Sequence, residues 1–293
     1  MKTLLQINAV VNTGSTGRIA EGIGQTAIAA GWKSYIAYGR NQATSSSKLI
    51  KIGNKKDVYL HGVYTLLKDK HAFASRRATQ ELVKKINVIK PDLIALHNLH
   101  GYYINIEILF KYLKANNIPV VWTLFDCWAF TGHCTYFDDI DCRKWESHCN
   151  KCPKYDKYPK SLVDNSFSNF KQKKELFTSM NDMEIITHSK WLSELVQKSY
   201  LSPYKTHVTP SAINLDLFKP LESDLKDKFR IGDKKVILGC ASVWSDRKGL
   251  NDFFRLNKLI GSSYQIVLIG LSKKQLSQLP EGIIGFNRTE SIK

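Results

Sequence analysis

The first thirty residues, MKTLLQINAVVNTGSTGRIAEGIGQTAIAA (1–30), pass from an apolar run into a glycine-bracketed turn and then into a helical pattern. Residues 4–11 are expected to form a strand and residues 18–30 a helix, with NTGSTG (12–17) as the turn between them. Lys2 followed by apolar residues begins as a secretion signal does. The apolar run is too short, however, and no small-residue cleavage site follows, so the segment reads as the first strand of a sheet. A strand that turns on glycines into a helix opens a βαβ unit, and βαβ units build parallel sheet.

The same alternation continues. Strands are expected at 34–38, 92–96, 120–124 and 185–187, with helices at 107–115 and 191–198. Residues 208–220 (VTPSAINLDLFKP) carry two prolines and no helical period, and are expected to link two domains. A second series follows, with strands at 236–241, 265–269 and 283–286 and helices at 250–259 and 274–279. The expectation is an α/β chain: a first domain over 1–207, the linker 208–220, and a partial second domain over 221–293. Three strands make about half of a doubly wound sheet, whose first strand normally lies at the centre. The first strand of the second series is therefore expected to show an open edge.

A chain of 293 residues suggests roughly two domains. Its 43% hydrophobic and 11% aromatic residues exclude a disordered or collagen-like chain. No apolar stretch is long enough to span a bilayer. Lys and Arg number 43 against 26 Asp and Glu, leaving a net charge of +17. A basic balance of this size calls for an acidic partner: nucleic acid, anionic lipid or a phosphorylated substrate. Between Lys51 and Lys90, ten basic residues face only Asp57, Asp69 and Glu81. Tyr59, Leu60, Val63, Tyr64, Leu66 and Leu67 interleave apolar bulk with that charge, which suits an anionic membrane surface; a solvated helical face is the plainer alternative. No nucleic-acid motif accompanies the charge, so no nucleic-acid partner is expected.

Several clusters carry chemistry. Gly14, Ser15, Thr16 and Gly17 lie between strand and helix, where free N–H groups meet an anion; a plain tight turn is the alternative. The spacing is neither a dinucleotide fingerprint nor a P-loop. Five of the six cysteines fall between Cys127 and Cys152. Cys134, Cys142, Cys149 and Cys152, ending in a C-x2-C pair, are spaced to hold a structural zinc with four thiolates, with free thiols or disulfides as the alternatives. Cys127 and Cys240 are expected to be packing residues. Asp138, Asp139 and Asp141 read as a surface loop rather than a metal site. His97 and His100 stand at the C-terminal end of an expected strand, where ligands gather in open α/β sheets. His133, close behind the next strand, is a second candidate, with a zinc ligand or a surface residue as the alternatives. Arg247 and Lys248 in SVWSDRKG (242–249) follow the first strand of the second series and suit a diphosphate, with an exposed basic turn as the alternative. Ser189 is expected to cap a helix, Trp191 to pack, and Phe218 to anchor the linker in a core.

Taken in order, NTGSTGRIA, KPDLIALHNLHGYY, VVWTLFDCWAFTGHC with its cysteine insert, ITHSKWL, VTPSAINLDLFKP and ASVWSDRKGL resemble a retaining glycosyltransferase of family 4, of the kind that builds exopolysaccharide, capsule or lipopolysaccharide. The resemblance implies a GT-B architecture of two facing Rossmann-like domains, here complete in the N-terminal half and partial in the C-terminal one. It implies a nucleotide-diphosphate sugar held mainly by the second domain and a glycan acceptor, expected to be lipid-linked, on the first. Arg247 and Lys248 would stabilise the leaving diphosphate, with backbone N–H groups of Gly14 to Gly17 facing the same phosphates. No catalytic metal is implied. The position commonly held by a histidine near the donor sugar is Phe125, and His100 or His133 is expected to take a catalytic part in its place. The family's Glu-x7-Glu motif would lie beyond residue 293, so the donor half is expected to be truncated. The expected setting is cytoplasmic, at the inner face of the membrane. Two alternatives stand beside transfer: an inactive homologue that binds sugar, lipid or a partner, and a zinc-containing interaction module.

Overall fold

The computed structural model describes residues 1–213, 215–216 and 218–287. The chain divides into two compact units, Met1–Ala212 and Ile213–Lys293. In the first, the elements run β1 (Thr3–Asn8), α1 (Gly14–Ala29), β2 (Lys33–Tyr38), β3 (Lys48–Lys51), α2 (Lys55–Lys68), α3 (Arg76–Ile89), β4 (Leu93–Leu96), α4 (Ile106–Ala115), β5 (Val120–Leu124), α5 (Ser166–Phe177), β6 (Met183–Thr187), α6 (Lys190–Lys198) and β7 (Thr206–Val208). The seven strands form one sheet in the order β3-β2-β1-β4-β5-β6-β7, and every pairing is parallel. All six residues of β1 are buried, as a central parallel strand covered on both faces requires. Chain progress reverses between β1 and β4, so the crevice outside their C-terminal ends is the topological switch point at which open α/β sheets bind ligands.

The core follows from helical spacing. On α3, Ala78, Thr79, Leu82 and Ile86 turn inward, and on α4 Ile106, Leu109, Phe110 and Leu113 do so. Asn105 starts α4 by accepting the Ile108 N–H at 3.0 Å. Phe110, Trp122 and Phe177 meet with ring centroids 4.6 to 5.6 Å apart beneath the sheet's far half. Ser189 caps α6 as expected, accepting the Leu192 N–H at 3.2 Å. Trp191 does not pack but stands 46% exposed, and Phe218 is also largely open to solvent.

The second unit carries α7 (Leu225–Lys228), β8 (Lys235–Cys240), α8 (Leu250–Leu259), β9 (Tyr264–Ile269), α9 (Lys273–Leu276) and β10 (Ile283–Phe286). Its sheet has the order β10-β9-β8 and is parallel throughout. Among the described residues β8 pairs with β9 alone, and Val236 and Leu238 are correspondingly exposed. Cys240, expected as packing, is exposed on this edge, whereas Cys127 is buried.

Candidate functional site

The loops that leave β1, β4 and β5 at their C-terminal ends build the site of the first unit. After β1 the chain turns at Asn12, whose N–H donates to the Gly17 carbonyl at 3.1 Å, and enters α1. Gly14 sits at φ +61°, a conformation that L side chains rarely adopt. A Cβ on Gly17 would meet Asn12 N at 3.0 Å and Val10 Cγ2 at 3.1 Å, so a larger residue there would have to push the turn open by a few tenths of an ångström. Thr13 makes no side-chain cap and the first turn holds no acid. The first N–H groups of α1 therefore lie open beside the exposed Gly14 and Ser15, with the positive end of the helix dipole behind them.

At the end of β4, His97 is a structural residue. Gln6 donates from its amide nitrogen to the Ala20 carbonyl at 2.8 Å, so its Oε1 accepts a proton from His97 Nε2, also at 2.8 Å. That leaves His97 Nδ1 as a buried acceptor with no partner among the described residues. Burial holds this imidazole neutral, with its pKa lowered to about 4. Phe125 packs over it at 6.2 Å and over His188 at 4.9 Å, so the position that the resemblance would give to a polar histidine is an aromatic wall.

His100 is the residue poised for chemistry. Its Nε2 donates to Asp126 Oδ2 at 2.7 Å, and the other oxygen of Asp126 accepts the Trp128 N–H at 2.9 Å. Because the carboxylate can only accept, the proton sits on Nε2, and Nδ1 is left to accept the Tyr158 hydroxyl at 3.1 Å. The imidazole and carboxylate are 11% and 13% exposed, partly dry yet reachable from solvent. A hydroxyl of a bound acceptor in the place of the Tyr158 hydroxyl would face a basic nitrogen backed by a carboxylate, the arrangement of a general base. Asp126 is not among the residues that the sequence singles out. The available signal is its place directly after β5, level with the loop that carries His100.

Neutral histidines hold this loop. His71 accepts the Gly101 N–H at 3.1 Å through Nε2, and its ring stacks on Tyr102 at 4.5 Å. His61 accepts the Ala72 N–H at 3.0 Å through Nε2, which leaves Nδ1 as the donor to Ser75 Oγ at 2.8 Å. Burial lowers His61 to about 4 and pushes His71 well below the usual histidine range. Lys173 supports the turn beyond Asp126. Its ammonium donates to the Trp128 and Thr131 carbonyls at 2.9 and 3.2 Å and lies 3.5 Å from the centre of the Trp128 ring. Burial lowers this lysine to about 7, against the opposing pull of Cys149 and Asp69.

His133 does not share the mouth with His100. Its side chain is wholly enclosed, donating from Nδ1 to Asp69, whose other oxygen accepts the Asn165 N–H at 2.8 Å. An enclosed ring does not reach a substrate hydroxyl as the structure stands, so of the two histidines expected to take a catalytic part only His100, with Asp126, is reachable from solvent. The insert that follows β5 draws its cysteines into one neighbourhood. Cys134 donates to Cys152, which lowers the Cys152 thiol to about 7, while burial pushes Cys149 up to about 12. Cys149 accepts the Gly132 N–H at 3.3 Å. Among the described residues, however, no group of three or more His, Cys, Asp or Glu is arranged to hold a metal ion. Of the four cysteines spaced for zinc, Cys134, Cys142, Cys149 and Cys152, two are thus hydrogen-bonded to each other and a third to backbone. Asp139 and Asp141 are exposed as expected.

In the second unit, Arg247 and Lys248 lie on a short turn, Asp246–Lys248, past the C-terminal end of β8. Gly249 at φ +74° leads from it into α8. Trp244, buried, fixes the loop by donating to the Ile269 carbonyl at 2.9 Å, while both cations face solvent. Arg247 and Lys248 thus stand side by side at the end of a parallel strand of this unit.

No protein-family model matches the chain. In sequence it is similar to the putative colanic acid biosynthesis glycosyl transferase WcaC of Escherichia coli (strain K12), 26% identical over 190 residues, which are 60% of this chain and 46% of that protein. The chain spans about half the length of the curated relative it matches. In fold it is similar to sucrose-phosphate synthase from Thermosynechococcus elongatus, with a TM-score of 0.59 at 11% identity over 99% of this chain and 71% of that one. It is also similar to Anabaena HepE in complex with UDP-glucose, with a TM-score of 0.55 at 12% identity over 99% and 70% of the two chains. The likeness read from the motifs is thus met in sequence and in fold, and the chain has the α/β architecture of GT-B glycosyltransferases, with a seven-stranded parallel sheet and a second, smaller one.

Proposed function

We propose that this chain takes part in transfer of a sugar from a nucleotide-diphosphate donor to a glycan acceptor, lipid-linked, in cell-surface polysaccharide synthesis. One observation carries the reading. His100 and Asp126 form a hydrogen-bonded base and carboxylate at the switch point of a parallel sheet, with the basic nitrogen turned to a hydroxyl. The acceptor hydroxyl displaces Tyr158 from His100 Nδ1, which takes its proton as the oxygen attacks the anomeric carbon. Asp126 stabilises the imidazolium that results. The leaving diphosphate gains charge as the glycosidic bond breaks, and Arg247 and Lys248 supply fixed positive charge for it. The open N-terminus of α1 at Gly14 to Gly17 is a second anion-binding element, on the first unit. Similarity to the E. coli relative, named as a glycosyl transferase, supports the same reading. Retention, which the resemblance implies, requires the hydroxyl to enter on the face from which the diphosphate departs, because base-assisted attack on the opposite face inverts the centre; NMR of the product distinguishes the two.

A second reading has its own support. The apolar wall of Phe125, between His97 and His188, offers a sugar no hydrogen bond, as a chain that binds without turnover would allow. Calorimetric titration with UDP-, GDP- and dTDP-sugars, beside a transfer assay, separates the two. Saturable donor binding weakened at least tenfold by Lys248→Ala is expected; at about 1.4 kcal/mol that is one charge-assisted contact. A folded chain that binds none of the donors refutes the transferase reading.

A further inference from the structure

α2 is amphipathic in the inverse sense. Its inward residues are polar, His61 and Thr65, and both are hydrogen-bonded: His61 to Ser75 and Ala72, Thr65 to the His61 carbonyl. Between its terminal lysines the outward residues are large and apolar or tyrosyl, with Tyr59 72%, Leu60 63%, Tyr64 43% and Leu67 50% exposed. Positions 60, 64 and 67 make one stripe at helical spacing. A second segment extends it. The Leu162 N–H and the Ser161 hydroxyl both donate to the Leu66 carbonyl, at 2.8 and 3.0 Å, which brings the exposed Leu162 and Val163 beside the end of the helix. A soluble monomer seldom leaves so many large apolar side chains contiguous and uncovered.

The charge around the stripe identifies what covers it. Lys55 and Lys56 open the helix, Lys68 closes it, and Lys157 and Lys160 precede Leu162; all are exposed. Two acids lie nearby: Asp57 accepts the Asn54 N–H at 2.8 Å in the helix cap, and Asp156 pairs with Lys157 at 3.4 Å, leaving Lys55, Lys56, Lys68 and Lys160 as the excess positive charge of the rim. Apolar and tyrosyl side chains on one helical face, rimmed by lysines, match the boundary between acyl chains and anionic headgroups. We propose that this face of α2, with residues 161–163, seats the first unit on the surface of an anionic bilayer. The segment that bears Leu162 and Val163 also bears Tyr158, which covers His100.

Flotation of the full chain with vesicles tests this without donor, acceptor or turnover, so it stands or falls independently of the transferase reading. Binding is expected to phosphatidylcholine vesicles containing phosphatidylglycerol, weakening as salt is raised, and not to phosphatidylcholine alone. Lys55→Gln with Lys56→Gln should weaken it about thirtyfold. Leu60→Glu with Leu67→Glu should abolish it, with circular dichroism unchanged because neither side chain is buried. Equal binding to neutral and anionic vesicles, or binding to neither, overturns the proposal. So does a dimer in sedimentation that Leu60→Glu with Leu67→Glu dissolves, since a second copy would then own the surface.

Discussion

Asp126→Asn changes one atom of the carboxylate behind the candidate base and almost nothing of its shape. The carboxylate now accepts twice, from His100 Nε2 at 2.7 Å and from the Trp128 N–H at 2.9 Å. An amide has one oxygen. If that oxygen stays on the Trp128 N–H, which is anchored by backbone, the NH2 group faces His100 Nε2 and two donors confront each other. The ring relieves this by carrying its proton on Nδ1, where it donates to Tyr158 instead of accepting from it. The lone pair that would take the acceptor's proton then points at the amide. General-base catalysis contributes about 10²- to 10⁴-fold, so transfer should fall about 10³-fold. Donor affinity should not move, because the charge that receives the diphosphate belongs to Arg247 and Lys248. The stability cost should be about 1 kcal/mol, one charge-assisted bond exchanged for a neutral one. Turnover with a nucleotide sugar reads the first effect, calorimetry the second, and long-range 15N–1H spectra of the His100 ring read the tautomer directly. Transfer by the variant within about threefold of the parent, far inside the range expected of a lost base, or a ring proton still on Nε2, would refute the reasoning.

Two further expectations concern pH. His61 and His97 are held neutral at about 4 in the folded chain, so their contribution is complete above the unfolded value of about 6.5 and is lost as pH falls toward 4. Each is worth about 3 kcal/mol over that window. Thermal unfolding should show a steep loss between those limits that His97→Gln makes shallower, and an unchanged slope would count against the assignment. Lys173 acts in the same direction, in a higher window. Its ammonium is lowered to about 7 by burial, so between about 7 and 10.5 the unfolded chain binds a proton that the folded chain releases, and stability rises with pH there. Lys173→Met should remove that rise; a rise that survives the substitution would place its origin elsewhere.

Local pattern is what the sequence makes legible in this chain. β1, β4 and β5 are short apolar runs between turn residues, and α4 shows a clean inward stripe, so both kinds of element are plain from residue order alone. β3 and β7 are not. Each is only three or four residues long, and Lys48–Lys51 sets two apolar residues between lysines on an edge where only one side chain in four is buried. α3 hides inside a run that reads first as charge. The site divides the same way. His100 is visible because a polar ring at a strand end is a local signal. Asp126 becomes a partner only when β4 and β5 lie side by side, a relation that no spacing carries. His133 shows the converse: its residue type and position are suggestive, but Asp69, distant in sequence, encloses it.

α2 explains why binary pattern fails in that stretch. A helix normally buries its apolar stripe and solvates its polar one, and a reading by periodicity assumes this. Here the inward stripe is polar because it positions the site. His61 ties the helix to Ala72 and Ser75, and His71, in the same connection, fixes Gly101 in the loop that presents His100. These bonds hold the helix without apolar burial, which frees its apolar residues to face outward. The pattern is inverted because the inner face serves the site and the outer face serves a surface. If so, the two faces should separate under mutation. Leu60→Glu with Leu67→Glu should leave the His100 tautomer and donor affinity intact while removing vesicle binding. His61→Ala should do the reverse, loosening the His100 loop and raising amide exchange at Gly101 while vesicle binding persists. A variant of either face that alters both properties together would show that α2 is one structural element with an incidental surface.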